Sequence, residues 1–422
     1  MAERVPEPGA ESGLNRRLGL LLLTLYGLGT TVGAGIYVLV GKVAGRAGEF
    51  APVSFLLAAA LAGLTALSYA ELSSRFPKSA GEAVYVSQGL GRASLAILVG
   101  FLVIGTGVVS AATLSQGFSG YFGTLVAVPG WLSMAGVVLI LTGFAAWGIA
   151  QSVIAASLLT VFEVVGLVMV IWAGRGIVTD PGAIAAAMTP PIDDALAWTG
   201  ILTGSYLAFF AFIGFEDMVN VAEEVEGEPR PIPAARGIAR RGVTVVYLCF
   251  SVIGVTAVPV AELAASPAPL VAIYERLTGA PGTLLKLIGS FAVINGALIQ
   301  IIMASRVVYG MASQGWLPAG LACVNGTTRT PLVATGLVGM GVLVLAFSVR
   351  LELLAETTTL FIFGVFALCN AALFRLKWTA GQDIEKDTEI VRVPIAVPAL
   401  GAVFSALFFV LTLLDLIERA GG

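Results

Sequence analysis

Long apolar runs separated by short charged or Pro- and Gly-containing connections dominate the chain. A helix needs about 20 apolar residues to cross the hydrocarbon of a bilayer. By that measure the runs at 18–41, 51–73, 94–120, 131–149, 152–174, 198–222, 242–261, 284–311, 331–349, 353–374 and 394–417 predict about eleven crossings. The runs are continuous, whereas the strands of a membrane barrel would alternate. Backbone groups in lipid must bond within their own segment, which leaves the helix. The expected fold is all-α: a polytopic integral membrane protein set in the lipid bilayer, multi-pass, in the cell membrane.

The connections add orientation and grouping. Most of the 23 Lys and Arg residues fall on the side of the N-terminus, among them Arg16, Arg17, Arg75, Lys78, Arg92, Arg230, Arg236, Arg240, Arg241, Arg306 and Arg375. Basic loops stay inside, so the N-terminus is expected in the cytoplasm. Residues 1–17 read as a cytoplasmic tail. The apolar run from Leu18 exceeds signal-peptide length with no small-residue cleavage site behind it, and reads as a retained helix. Residues 18–174 form a first group of five helices and 198–374 a second. A polar extracellular loop, 175–197, lies between them. A charged cytoplasmic linker at 375–393 precedes an additional C-terminal helix in 394–422. An odd number of helices per group turns the second group upside down relative to the first, the topology of an inverted repeat.

Composition narrows the chemistry. Of 422 residues, 58% are hydrophobic and 12% charged, about half the charged fraction of a soluble domain. A net charge of -3 gives no footing for nucleic acid. With no histidine in the chain, imidazole acid/base catalysis and Ser-His hydrolysis are excluded. The three cysteines have no CxxC spacing, so neither a metal site nor a cofactor is indicated. GLGTTVG misses dinucleotide-loop spacing, and GIYVLVGKV is not a phosphate loop.

In inverted-repeat folds of this kind the first helix of each repeat is interrupted near the midplane. The first span carries Gly27, Gly29, Gly33 and Gly35 close together. Unwinding over Val32–Ile36 would free the amides of Gly33, Ala34, Gly35 and Ile36, which can hold a carboxylate at the positive end of a half-helix. Close helix packing is the competing reason for such glycines. The sixth span places Gly214, Glu216 and Asp217 inside an apolar run, where a carboxylate is costly and functional by default. Freed carbonyls near Phe212, Ile213 and Gly214 would accept from an ammonium. Phe209, Phe210, Phe212 and Phe215 would wall the space, although packing or lipid contact serves phenylalanines equally well. Glu163 is a lone acid in the fifth span, with no basic residue between Gln151 and Arg175. It is the candidate for proton or other cation coupling. The alternative is a permanently protonated group bonded to a neighbouring helix.

Four stretches resemble the amino acid–polyamine–organocation transporter superfamily: GTTVGAGIYVLVG at 29–41, SYAELSSRFPKSAGEAVYV at 68–86, FAFIGFEDMVNVAEEVEGEPRPIP at 210–233 and SRVVYGMASQGWLP at 305–318. The resemblance implies a five-plus-five inverted repeat and a secondary active transporter working by alternating access, by proton-coupled symport or exchange. It implies an amino acid substrate with its carboxylate at 33–36 and its amine toward the carbonyls of 209–213. It further implies Glu216 as a gating residue, with Arg306 and the segment 76–90 as cytoplasmic gate elements; a solvated basic turn is the competing reading of that segment. A polyamine or organic-cation carrier and a non-transporting membrane amino acid sensor are the alternatives. Missing histidines and nucleophile motifs speak against an enzyme. The chain departs from the superfamily in two respects. Members commonly have twelve spans, and proton-coupled members often carry a lysine on the fifth span, where this chain has Glu163.

Overall fold

The structure is a computed structural model that describes residue 29, residues 34–76, 81–214, 216, 232–379 and 392–421. Its regular elements among these residues are helices: α1 Ala34–Ala47, α2 Ala51–Arg75, α3 Gly81–Leu90, α4 Ala93–Gly123, α5 Gly130–Trp147, α6 Ile149–Ala173, α7 Arg175–Val178, α8 Pro181–Met188, α9 Ala195–Phe210, α10 Ile232–Ala257, α11 Val260–Ala265, α12 Pro269–Thr278, α13 Thr283–Ser313, α14 Leu332–Ser348, α15 Leu351–Thr379 and α16 Ala396–Gly421. Seven helical stretches among the described residues are long and apolar enough to cross a membrane; α9, residues 243–257 of α10 and α14 are shorter apolar helices.

Local chemistry sets the ends of these elements. Between α1 and α2 the chain passes through a 3-10 turn at Gly48–Phe50, where Gly48 has φ +63°. That left-handed conformation suits glycine and breaks what would otherwise be one 42-residue helical stretch, roughly 63 Å if straight and twice the hydrocarbon thickness. Pro52 sits in the first turn of α2, where its missing N–H costs nothing. Asp194 caps α9 by accepting from the Ala197 amide at 3.0 Å.

Packing separates centre from periphery. In α13 78% of the apolar window is buried inside the protein, against 22% in α16. Large apolar side chains such as Leu139, Ile140, Trp147, Val168, Trp172, Met340 and Val403 face outward. A water-soluble surface would not carry such continuous exposure, and hydrocarbon is its natural solvent. Among the contacts that build the bundle, α1 packs on α9, α2 on α10, α4 on α13 and α5 on α14.

The structure amends several expected boundaries. The helix expected over 198–222 stops at Phe210; Phe215 and residues 217–222 lie outside the described residues. The helix expected from 242 begins at Ile232. The 175–197 segment is not plain loop, since α7 and α8 occupy part of it, and α11 and α12 lie before α13. The segment 76–90 contains α3, which buries Glu82, Tyr85 and Val86. These pieces hold at most ten residues each, too few to register against a ruler of about 20. Packing on neighbours, not length, stabilises them.

Candidate functional site

The end of α9 and the start of α1 meet in the interior. After Phe210 the helical ladder tightens: the amides of Ala211, Phe212 and Ile213 donate to Ala208, Phe209 and Phe210 carbonyls three residues back at 3.1, 2.9 and 3.2 Å. Gly214 has φ +129°, a conformation open to glycine, and its amide donates to Glu216 Oε2 at 2.9 Å. The Glu216 carboxylate is therefore a cap for its own turn. It is 3% exposed, and Oε1 has no hydrogen-bond partner among the described residues. The Ala211 carbonyl accepts from the Tyr247 hydroxyl of α10 at 2.9 Å.

Helix α1 lies against this turn. A Cβ on Gly35 would stand 2.5 Å from Ala211 Cα, and one on Gly296 of α13 would stand 2.6 Å from Ala34 Cβ. Backbone thus touches backbone where α1 and α9 cross, and no side chain but hydrogen fits at 35. Ala34 and Ile36 are buried here; Val32 and Gly33 lie outside the described residues, as does Asp217. The phenylalanines diverge. Phe209 sits 4.5 Å, centroid to centroid, from Phe363 of α15, whereas Phe212 packs edge-on to Tyr247 at 4.9 Å.

Glu163 lies on the α6 side of α1, wholly buried. Its Oε1 accepts from Asn295 Nδ2 of α13 at 2.9 Å, and the same Nδ2 lies 3.2 Å from Thr160 Oγ1. Glu163 Oε2 and Asn295 Oδ1 have no partner among the described residues, and none of the ion pairs described there involves Glu163. Gly29 abuts the cluster so tightly that a Cβ would collide with Thr160 Oγ1. Tyr37 donates to the Glu163 carbonyl at 2.9 Å and Tyr121 of α4 donates to the Tyr37 carbonyl at 2.9 Å. Two tyrosine-to-backbone bonds thus tie α4, α1 and α6 together beside a carboxyl group with spare acceptor capacity among the described residues. Oxygen atoms of this kind suit a proton or a hard cation.

Ion pairs flank this centre. Lys42 and Arg46 of α1 reach Glu352 and Glu356 of α15 at 2.9 and 3.0 Å. Near the far end of α2, Glu71 accepts from Arg75, from Lys377 of α15 and from the Val393 amide. Arg306 is 5% exposed on α13. Sequence reasoning singled out Glu163, Glu216 and Gly35 but missed Asn295, Tyr37, Tyr247, Glu71 and Glu356. Asn295 carried a usable signal, a polar amide deep in an apolar run. The tyrosines carried none.

A family profile described as amino acid permease matches residues 18–419. The chain is 30% identical over 380 residues to cationic amino acid transporter 3, mitochondrial, of Arabidopsis thaliana, covering 86% of this chain and 62% of that protein. It thus spans less than two thirds of the length of that relative. It is 27% identical to the branched-chain amino acid permease of Bacillus subtilis over 96% of this chain and 89% of the relative. Likewise it is 26% identical to the methylthioribose transporter of the same organism, over 95% and 89%.

Proposed function

Because the chain belongs to the amino acid permease family, a family of multi-pass membrane transporters and not of enzymes, we propose that it carries amino acids across the bilayer by alternating access. The observation that carries this reading is the buried backbone contact of Gly35 with Ala211, at the point where α9 has already stopped being a helix. The carbonyls of Ala208, Phe209 and Phe210 are taken up by the tightened turn and that of Ala211 by Tyr247, so in this reading the substrate ammonium takes the carbonyls that follow, at Phe212 and Ile213. The amides of 33–36 are the complementary group for the carboxylate. Phe209, Phe212, Ile213 and Gly214 shape the space around the amine, and Glu216 steadies the turn that opens and closes it.

Eleven spans with a cytoplasmic N-terminus, arranged as two inverted groups of five and a last helix, suit this mechanism. The contacts of the first with the sixth, second with the seventh, third with the eighth and fourth with the ninth span support that arrangement, since helices related by a pseudo-two-fold axis meet near it. Glu163 is the coupling residue in this reading. A proton or other cation on it removes an unpaired charge from an apolar interior, and the charge returns when the helices part. A cationic substrate is the second reading, supported by Glu216 Oε1, which has no partner among the described residues, and by relatives named cationic amino acid transporters.

Uptake into liposomes holding the purified protein tests both readings. Labelled amino acids, offered singly to liposomes loaded with the unlabelled mixture, should exchange inward. An acid exterior should drive at least one of them uphill. Failure of every amino acid to enter faster than into protein-free liposomes would remove the proposal, and uptake of a polyamine alone would replace it with the organic-cation reading.

A further inference from the structure

A groove of about 680 Å³ lies where α6 ends, away from the α1–α9 crossing. Its floor is apolar, with Val164, Val168 and Met169 of α6, and its opposite wall is α12, with Tyr274. Val168 and Trp172 turn outward, 58% and 69% exposed, on the surface that hydrocarbon covers. From Val164 to Trp172 the helix rises about 12 Å, a stretch over which an acyl chain can lie.

The polar end of the groove is equally defined. Arg175 follows the last residue of α6 by two positions, which sets it at headgroup depth. Its guanidinium stacks over the Trp172 ring, Cζ to centroid 5.0 Å, and Nη1 donates to the Trp172 carbonyl at 3.0 Å. Among the described residues no carboxylate pairs with it. Trp and Tyr prefer the membrane interface, and a guanidinium held on a ring keeps further N–H groups for a phosphate.

We propose that this groove is a site for one anionic phospholipid, with its phosphate on Arg175, its glycerol region between Trp172 and Tyr274, and an acyl chain along Val164–Met169. Charge decides the headgroup, because a single unpaired cation at the mouth favours an anionic lipid over a zwitterionic one. Such a lipid ties the end of α6 to α12, and α12 also packs on α1. The two repeats are thereby bridged from the membrane side.

The test uses the full chain in nanodiscs and phospholipids with brominated chains, which quench nearby tryptophan. The chain has six tryptophans, so the difference between the parent and Trp172→Phe isolates position 172. Brominated phosphatidylglycerol should quench Trp172 at about fivefold lower mole fraction than brominated phosphatidylcholine. Arg175→Gln should bring the two lipids to parity while its melting curve in phosphatidylcholine stays that of the parent. Equal quenching by both lipids in the parent would overturn the site, as would a preference that survives Arg175→Gln. If soluble glycerol phosphate raises the melting temperature as much as phosphatidylglycerol does, the groove binds a free anion, and the lipid assignment fails.

Discussion

Glu71 and Glu163 are both wholly buried on apolar helices, yet their surroundings differ in kind. Around Glu71 the protein supplies Arg75 Nε and Nη2, Lys377 Nζ on both oxygens, and the Val393 amide. Both oxygens are engaged and two positive charges answer one negative. Around Glu163 the described residues supply one amide N–H and leave the second oxygen without a partner. A buried charge that is fully paired is a fixed fastening, whereas one without a cation has to be neutralised, by a proton that stays or by one that exchanges. The first carboxylate joins α2, α15 and the segment leading to α16. The second is the one the proposed coupling cycle would use.

The most severe way to probe this contrast is Glu71→Ala. It strands Arg75 and Lys377 together without a counter-charge and should destabilise the protein by about 3–5 kcal/mol, read as a large drop in melting temperature in detergent. A melting curve indistinguishable from the parent would remove the distinction between the two carboxylates.

Next in size is Gly35→Ala, which alters neither acid but tests the contact of α1 with Ala211. The added methyl meets Ala211 Cα at 2.5 Å, so α1 and α9 must separate. Overpacking of this kind costs about 1–3 kcal/mol. Substrate binding should fall at least tenfold, about 1.4 kcal/mol or more, while expression and folding persist. Parent-like affinity would show that the crossing lies away from the substrate.

Glu163→Gln sharpens the comparison directly. The substitution keeps an acceptor for Asn295 and mimics the protonated group, so the melting temperature should move little. Exchange of substrate should continue, and accumulation driven by a pH gradient should stop. Gradient-driven accumulation that survives in this variant would move the coupling site elsewhere.

The smallest effect is expected at Glu216, another of the buried acids. Glu216→Gln retains an acceptor for the Gly214 amide, so affinity should hold and turnover should slow by about two- to fivefold, under 1 kcal/mol of barrier. A complete loss of transport there would place Glu216 with Glu163, as an acid whose charge is required, and not with the turn it caps.

Much of this was legible in the chain before any coordinates. Glu163 and Glu216 stand out because an acid in an apolar run violates its surroundings residue by residue, and Gly35 because it joins three other glycines in a helix that has no local need of them. The same criterion reaches Asn295. It does not reach Glu71, which sits four residues from Arg75 and reads as an ordinary helix-end pair until Lys377, 306 positions away, closes on it. Nor does it separate Phe209 from Phe212. Three positions apart on a regular helix they would share a face, but the chain leaves the helix between them and sends one ring to α15 and the other to α10.

That the chain is helical and membrane-embedded, where its main apolar spans lie, and which acids are anomalous all follow from the order of its residues. Hydrocarbon acts on each residue locally and backbone bonding in lipid allows only one regular form to a continuous apolar run. Tertiary structure alone decided which anomalous groups are satisfied, that Gly35 faces Ala211, and that Tyr37 and Tyr121 chain three helices together. Those outcomes depend on where helices cross and how each is rotated about its axis. Such quantities are set by side-chain packing between residues far apart in the chain, and no local pattern encodes them.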